Sequence, residues 1–570
     1  VQWKNRETLI KAFPAPNLRC EAAKPLQIRA HPPEVLRKMY NNGGMTMRVT
    51  NNMILKNSAY NINSVKTAVD ESATQMTTQK KISRPSQDPV TAIRSLRLST
   101  SLSKVNQYYK RNIPDANSWL EVTETALTSM KDLIGNDFRS QVVAGATDVL
   151  TQDDRNTIIT QLKQLQSQLY AEGNADYAGR TVFTGFRTNQ NLVFDENEPD
   201  TSYNIDQTFS YTEMETFRYY TGNVVVPTTQ NEVMNNDISD TQVSSYYRLR
   251  TAYNDVTEMN SLSYTYGGNT VTFDMTGITN GTTQSPQTGT ASLNNLTVYD
   301  TEDDWLAACT SGIKEVGDTS MVFIKDTGDL ILGSTVAAEL QSNKASISVN
   351  YDKTGFSNGE LKPEYYFNCT DTTDPQNKIV YEKYDADGNE ITYDINYTVA
   401  NNQTLTVNLE AKEAFNSDIL RDMDDMIAAV SRAIDAHDKV DTIKAMKEEA
   451  QYSDQTFQDK LSEWQEAAQK EADYADDNLQ KLFNTELGKS DEYLDQISLA
   501  LTKVGCTVDQ LQLTETRMSN QQETIQDLQS QNDDEELSDV IINYTAVYNA
   551  YQSSLSAAAK LNGMTLLNYL

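Results

Sequence analysis

LSDVIINYTAVYNAYQSSLSAAAKLNGMTLLNYL, residues 537–570, closes the chain. The last residues of a soluble protein are usually loose and polar, and these are neither. Apolar or small residues fall at Leu537, Ile541, Tyr544, Tyr548, Tyr551, Leu555 and Ala558. Alternating steps of four and three put them on one face of a helix. Met564, Leu566, Leu567, Tyr569 and Leu570 follow. A terminal helix with so apolar a face needs a partner to cover it.

The expected partner is the seam running from Met47 through Leu133, near the other end of the chain. Upstream of Asn532-Asp533-Asp534, the positions Leu494, Ile497, Leu501, Val504, Val508, Leu511, Glu515, Met518, Gln522 and Ile525 keep the same spacing, and Ile419, Met423, Met426, Val430, Ala433, His437 and Val440 do so before them. Near the other end, Ile62, Val65, Val69, Ser72 and Met76 trace a coiled-coil seam. That helix is expected to stop near Lys80, before the turn Ser83-Arg84-Pro85-Ser86-Gln87-Asp88-Pro89. Asp88-Pro89 reads as an N-cap followed by a first helical residue. The next seam runs through Leu98, Leu102, Val105, Tyr109, Asn112, Ala116, Trp119, Thr123, Ala126, Met130 and Leu133, about 54 Å if fully helical. Pro114 lacks an amide hydrogen, so a kink or turn is expected between Asn112 and Asp115. Ile158, Leu162, Leu165 and Leu169 mark a third helix, and Arg180 to Thr188 (RTVFTGFRT) a strand or hairpin beside it.

From about residue 190 to 410 the period becomes mainly two. Ile391, Tyr393, Ile395, Tyr397 and Val399 alternate with polar residues, as do Leu405, Val407 and Leu409, and Met321 to Gly333 has the form of a hairpin turning at Thr327-Gly328. Short helices are expected near Asp303–Cys309 and Thr335–Leu340. Asp385-Ala386-Asp387-Gly388-Asn389 has its glycine fourth, not sixth as a calcium loop requires, so it reads as a tight turn. The fold class is therefore α+β. Long N- and C-terminal helices form a bundle from residues 47–190 and 411–570, and a β-rich region, 191–410, is inserted between them and projects outward.

Residues 1–46 differ from everything after them, with five prolines and no periodic pattern. They read as a non-native leader or a disordered extension. Gly43-Gly44 can be encoded as a ribosome-binding core two codons before Met47, so the mature protein is expected to begin at Met47.

Composition excludes several functions. Asp and Glu number 80 against 48 Lys and Arg, a net charge of −32, which disfavours nucleic acid and anionic membranes. No run approaches the roughly 18 apolar residues of a membrane span, and the N-terminus lacks the apolar core of a cleaved signal peptide. The four cysteines have no zinc or CxxC spacing, and only His31 and His437 could serve a histidine-dependent site. No catalytic motif, metal site or cofactor is expected. Helix packing and assembly fall to Ile62, Val65, Val69, Met76, Leu98, Leu102, Val105, Tyr109, Trp119, Leu501, Val508, Leu511, Ile541, Tyr544, Tyr548, Tyr551 and Leu555.

Met47-Arg48-Val49-Thr50-Asn51-Asn52, the Ser83–Pro89 turn, Asn112 to Leu127 (NIPDANSWLEVTETAL), RTVFTGFRT and Gly505 to Leu570 together resemble the flagellin family. Where the family's turn carries Asp-Asp-Pro, this chain has Gln87-Asp88-Pro89. Within the family, these segments are most similar to the members that join hook to filament. The resemblance implies a structural subunit of the extracellular flagellum, exported by the type III apparatus without a cleaved signal. Its implied partners are copies of itself in a ring, a neighbouring hook-associated protein, flagellin and an export chaperone. A filament subunit, and a surface adhesin with the helices as its stalk, are the alternatives.

Overall fold

The computed structural model describes residues 51–563, apart from 148–149, 222–223, 239–240, 267–268, 288–294, 310–313 and 386–387. The proposed leader, His31, Cys20 and the apolar run Met564–Leu570 lie outside the described residues. Twelve α-helices are described: α1 (Asn51–Thr78), α2 (Pro89–Gln107), α3 (Ile113–Asp132), α4 (Arg139–Gly145), α5 (Gln152–Gly173), α6 (Gln230–Asn235), α7 (Glu302–Ala308), α8 (Ser334–Asn343), α9 (Ala411–Ala414), α10 (Asp418–Glu448), α11 (Gln455–Asp533) and α12 (Leu537–Gly563). Terminal helices flank a β-rich middle, an α+β fold. The chain divides into two compact units, one made of the two ends up to Gln87 and from Asp534, the other of Asp88–Asp533.

The first unit is the pair α1–α12 with the turn that follows α1. Gln79 leaves α1 in the left-handed region (φ 54°). Its carbonyl accepts from the Glu535 amide at 3.0 Å, and the adjacent Lys80 pairs with Asp534. Gln87 organises the turn: its carbonyl oxygen accepts from the amides of Ser83 (2.8 Å) and Arg84 (3.1 Å), while its amide nitrogen donates to Glu71 (3.3 Å).

In the second unit, the side chain of Asp88 caps α2 by accepting from the amides of Val90 and Thr91, with Pro89 at the first helical position. No break occurs at Pro114. The chain instead widens into a π-turn at Tyr108–Asn112, in which the Ile113 amide donates to the Tyr108 carbonyl, and then continues directly as α3. A proline inside an α-helix clashes with the carbonyl four residues back, and the wider turn just before it accommodates it without ending the helix. A second π-turn, Leu133–Phe138, joins α3 to α4. The side chains of Thr151 and Asp154 form a reciprocal cap on α5.

Opposite these helices runs α11, with 79 residues and about 120 Å long. Its charged first half packs as firmly as the rest. Trp464 and Phe483 are fully buried in one core with Trp119, Leu127, Phe138, Leu162, Met426 and Val430. Segments of the middle enter that same core at Val224, Val233, Val399 and Leu405; Trp464 Nε1 donates to the Val233 carbonyl at 3.2 Å.

The β-rich region holds two six-stranded sheets. One is ordered Glu215–Thr221, Gln242–Arg250, Asp329–Leu332, Ser320–Ile324, Asn295–Tyr299, Thr282–Gln284; the other Ile379–Tyr381, Asn368–Asp371, Glu198–Phe209, Ile347–Phe356, Glu258–Tyr266, Asn269–Asp274. Ser320–Ile324 pairs in parallel with Asn295–Tyr299, and the remaining pairs in both sheets are antiparallel. The sheets share a core of Ile205, Leu249, Leu262, Phe273, Phe323, Leu330 and Tyr351, together with Val336 and Leu340 of α8. The hairpin at Thr327-Gly328 forms where expected. Gly328 has φ 68°, and a Cβ there would lie 2.2 Å from Thr251 Oγ1 and 2.3 Å from the Tyr253 carbonyl oxygen, so a side chain has no room. The alternation from Ile391 to Val399 is strand only from Asn396 to Ala400, paired with Gln403–Thr406. Ile391 and Tyr393 lie outside any described strand: the Ile391 amide donates to the Lys383 carbonyl at 2.8 Å, and the Tyr393 carbonyl accepts from the Asn408 side chain at 3.0 Å. Ala386 and Asp387 of the proposed tight turn fall outside the described residues, while Tyr384 and Glu390 on either side form an isolated bridge.

Candidate assembly interface

The terminal pair has a thin interior. Among its described residues only Ser72 and Val540 are buried. On α1, Ile62, Val65 and Val69 are half-buried and Met76 is exposed. On α12 the inward row is Val540, Tyr544, Val547, Tyr551, Ser554 and Ala558. This corrects the expected stripe: Tyr544 and Tyr551 belong to the inward row, but Ile541, Tyr548 and Leu555 are exposed, as is Leu537. α12 carries two overlapping apolar rows one position apart, and only one of them turns inward. Tyr548 stacks on Tyr544 with ring centroids 5.9 Å apart.

A longer interface runs antiparallel between α2–α4 and α11. The Asn532 side-chain amide donates to the Thr91 carbonyl (3.1 Å), Ser95 Oγ to Asp533 (2.8 Å) and the Gln522 side-chain amide to Asn106 (2.7 Å). Arg139 pairs with Asp491, and Gln480 Nε2 donates to the Ala146 carbonyl at 3.3 Å. Val105, Trp119 and Leu511 are buried along this seam, and Leu98, Leu102, Tyr109, Leu501 and Val508 are half-buried. Trp119 is the deepest of them. Arg180 lies 4.8 Å over its ring, and Arg180 also hydrogen-bonds the Tyr397 hydroxyl, which ties RTVFTGFRT to the helices. Gly145 permits a close approach, because a Cβ there would lie 2.2 Å from the ring of Phe483.

Large apolar side chains away from the expected seams also face outward: Met53, Leu55 and Tyr60 on α1, Ile542 on α12, Val90, Ile93 and Leu96 on α2, and Leu499, Leu513 and Leu528 on α11. Tyr60, Leu96 and Leu513 are each at least 70% exposed. A search for four-three spacing passes over them because Ile542, Leu499 and Leu513 fall between seam positions and the others lie before the first or after the last position of their seam. Their signal is an apolar residue at an off-seam position of an otherwise polar helix. Solvent-facing apolar rows of this kind on long helices mark surfaces for other chains.

Other candidate groups have structural partners. His437 Nε2 lies 2.8 Å from Asp476 and 3.0 Å from Arg155, and Arg155 lies 2.6 Å from Asp476, so the three tie α5, α10 and α11 together. Among the described residues, Cys309, Cys369 and Cys506 are free thiols, and burial pushes the Cys369 thiol well up. No group of three or more His, Cys, Asp or Glu among them is arranged to hold a metal, and no described helix is long and apolar enough to cross a membrane.

Residues 49–188, covering α1 to α5 and the RTVFTGFRT segment, match the bacterial flagellin N-terminal helical region. Two curated relatives are similar to parts of the chain. Flagellar hook-associated protein 3 of Salmonella typhimurium is 26% identical over 143 residues, 25% of this chain and 44% of the relative. Its counterpart in Escherichia coli is 30% identical over 115 residues, 20% and 36% respectively. The chain thus spans less than half the length of the curated relatives it matches. Among solved structures, flagellar hook-associated protein 3 of Legionella pneumophila aligns over 76% of this chain and 97% of its own, at 11% identity and a TM-score of 0.26.

Proposed function

We propose that this flagellin-type chain is a structural subunit of the bacterial flagellum that joins hook to filament, and acts by assembly, not by catalysis. The observation that carries this reading is the pair α1–α12: its interior is little more than one buried valine, while apolar rows on both helices face outward. A pair so built gains most of its burial from neighbouring copies. Both curated relatives are named as flagellar hook-associated protein 3, which supports that place in the flagellum.

On this reading residues 47–190 and 411–570 form the assembling helical part and 191–410 the outward body. The partners are copies of the chain in a ring, a neighbouring hook-associated protein, flagellin, and an export chaperone that covers the terminal rows before assembly. The protein is extracellular and leaves the cell without a cleaved signal. Immunogold labelling of isolated flagella tests this. Label confined to the boundary of hook and filament is expected. Label along the whole filament would make the chain a filament subunit, and flagella without label would overturn the assignment.

A further inference from the structure

Between the sheet strand Glu215–Thr221 and the helices α10 and α11 lies a cleft of about 570 Å³, within the size range of sites for small ligands. At one end a network of charges closes on itself. Arg248 reaches Asp425 and Glu215 (3.1 Å), Arg250 reaches Asp425 (2.8 Å) and Asp422, and Lys489 reaches Asp422 (3.0 Å), Glu486 (3.2 Å) and Glu215. The Tyr493 hydroxyl donates to Asp422. At the other end Lys439 pairs with Glu471 at 2.7 Å, and Glu471 also accepts from the Val224 amide at 2.8 Å.

Three lining groups are left over from these pairings. Asn478 Oδ1 is buried without a hydrogen-bond partner, and so is Glu486 Oε2, on a side chain only 2% exposed. Arg432 is exposed to the cleft, with no ion pair or hydrogen bond among the described residues. Buried polar atoms in native proteins normally have a partner, so these three ask for one from outside the chain.

Their placement says what it is. The antiparallel pairs Lys439–Glu471 and Asp422–Lys489 fix the register of α10 on α11, which sets Arg432 level with Asn478. Glu486 lies two turns further along α11, about 12 Å away, beside Lys489. Each place thus joins an acceptor that lacks a donor to a cation that donates. Leu479 and Leu482 of α11 lie between them, and the half-buried Phe217 lines the same cleft from the strand. An anion would satisfy Arg432 and leave both acceptors bare. A cation would satisfy the acceptors and be repelled by Arg432 and Lys489. A hydroxyl donates one hydrogen bond and accepts others, so a ligand rich in hydroxyls serves both places, and the C–H face of a sugar ring suits the apolar side chains between them.

We propose that this cleft binds a short neutral oligosaccharide, with hydroxyls of one ring at Asn478 and Arg432 and those of another at Glu486 and Lys489. The site is independent of the assembly of the terminal helices, none of whose apolar rows takes part in it.

The test is titration of the full chain with maltotriose, cellotriose and chitotriose, three neutral sugars of different linkage and substitution, followed by saturation-transfer NMR. Inorganic phosphate and putrescine serve as the anionic and cationic controls. At least one sugar is expected to bind with a dissociation constant below about 1 mM. Asn478→Ala combined with Arg432→Ala removes two hydrogen bonds and should weaken that binding about tenfold or more, with the thermal midpoint kept. Should the double variant not fold, amide exchange of the wild type decides: the bound sugar must slow Glu215–Thr221 at least about twofold and leave Ile347–Phe356 in the other sheet unchanged. Three results would overturn the proposal: no binding by any of the sugars, binding of phosphate or putrescine in their place, or sugar binding that the double variant leaves intact.

Discussion

The pair α1–α12 and the body Asp88–Asp533 are built from the same kind of helix, with apolar residues at steps of four and three, yet they bury them to very different depths. In the body, α3, α4, α5, α10 and α11, with several strand-flanking segments, share one core with Trp119, Phe138, Trp464 and Phe483, all at most 1% exposed. In the pair, α1 and α12 pack on each other, and among the described residues apolar rows remain exposed on both. Two helices side by side can cover at most one stripe each. The difference teaches that periodicity announces a packing face, while the number of neighbours decides whether folding alone satisfies it.

Substitutions on the two sides of this contrast should differ in size. Trp464→Ala in the body should cost about 3–5 kcal/mol in chemical denaturation, through the cavity and the hydrogen bond lost to Val233. Placing a charge on the long seam with Val105→Asp should cost about 3 kcal/mol, because an unpaired carboxylate would be buried there; an unchanged midpoint would remove Val105 from the core. Gly145→Ala should cost about 1–3 kcal/mol by forcing the ring of Phe483 aside. Val540→Ala, the same kind of truncation in the thin pair, should cost only about 1–2 kcal/mol, read from local exchange of α12. At the small end, Ile542→Ser with Leu555→Ser should leave denaturation midpoints within about 0.5 kcal/mol while abolishing assembly. Loss of stability of several kcal/mol there would mean that these side chains serve folding.

Much of the helical frame was legible in the sequence. Asp88-Pro89 announced the start of α2 and Thr327-Gly328 its hairpin, but the seam expected to cover the terminal helix divides its partners: α1 packs on α12, while the stretch through Trp119 packs on α11. The choice of face on α12 was not legible, because Val540 and Ile541, and again Val547 and Tyr548, are adjacent apolar positions that define two stripes at once. Pro114 marked a disturbance, but its form, a π-turn absorbed into a continuous helix, depends on the partner helix that keeps the register. Ile391 and Tyr393 showed strand-like alternation, but their backbones bond one at a time, to the Lys383 carbonyl and to the Asn408 side chain, and not along a ladder. The charge network around Glu486 left no local sign. Arg248 and Arg250 lie far from Asp422 and Asp425 in the chain, and only the docked sheet brings them together.

The central claim is that the α1–α12 pair is built for other copies and the body for itself. Removing residues 537–570 and following two quantities in parallel, the thermal midpoint of Asp88–Asp533 and incorporation into isolated flagella, tests it most directly. The body is expected to melt within a few degrees of the full chain while incorporation disappears. A truncated chain that still enters the flagellum would contradict the claim, and so would a body that unfolds when α12 is removed.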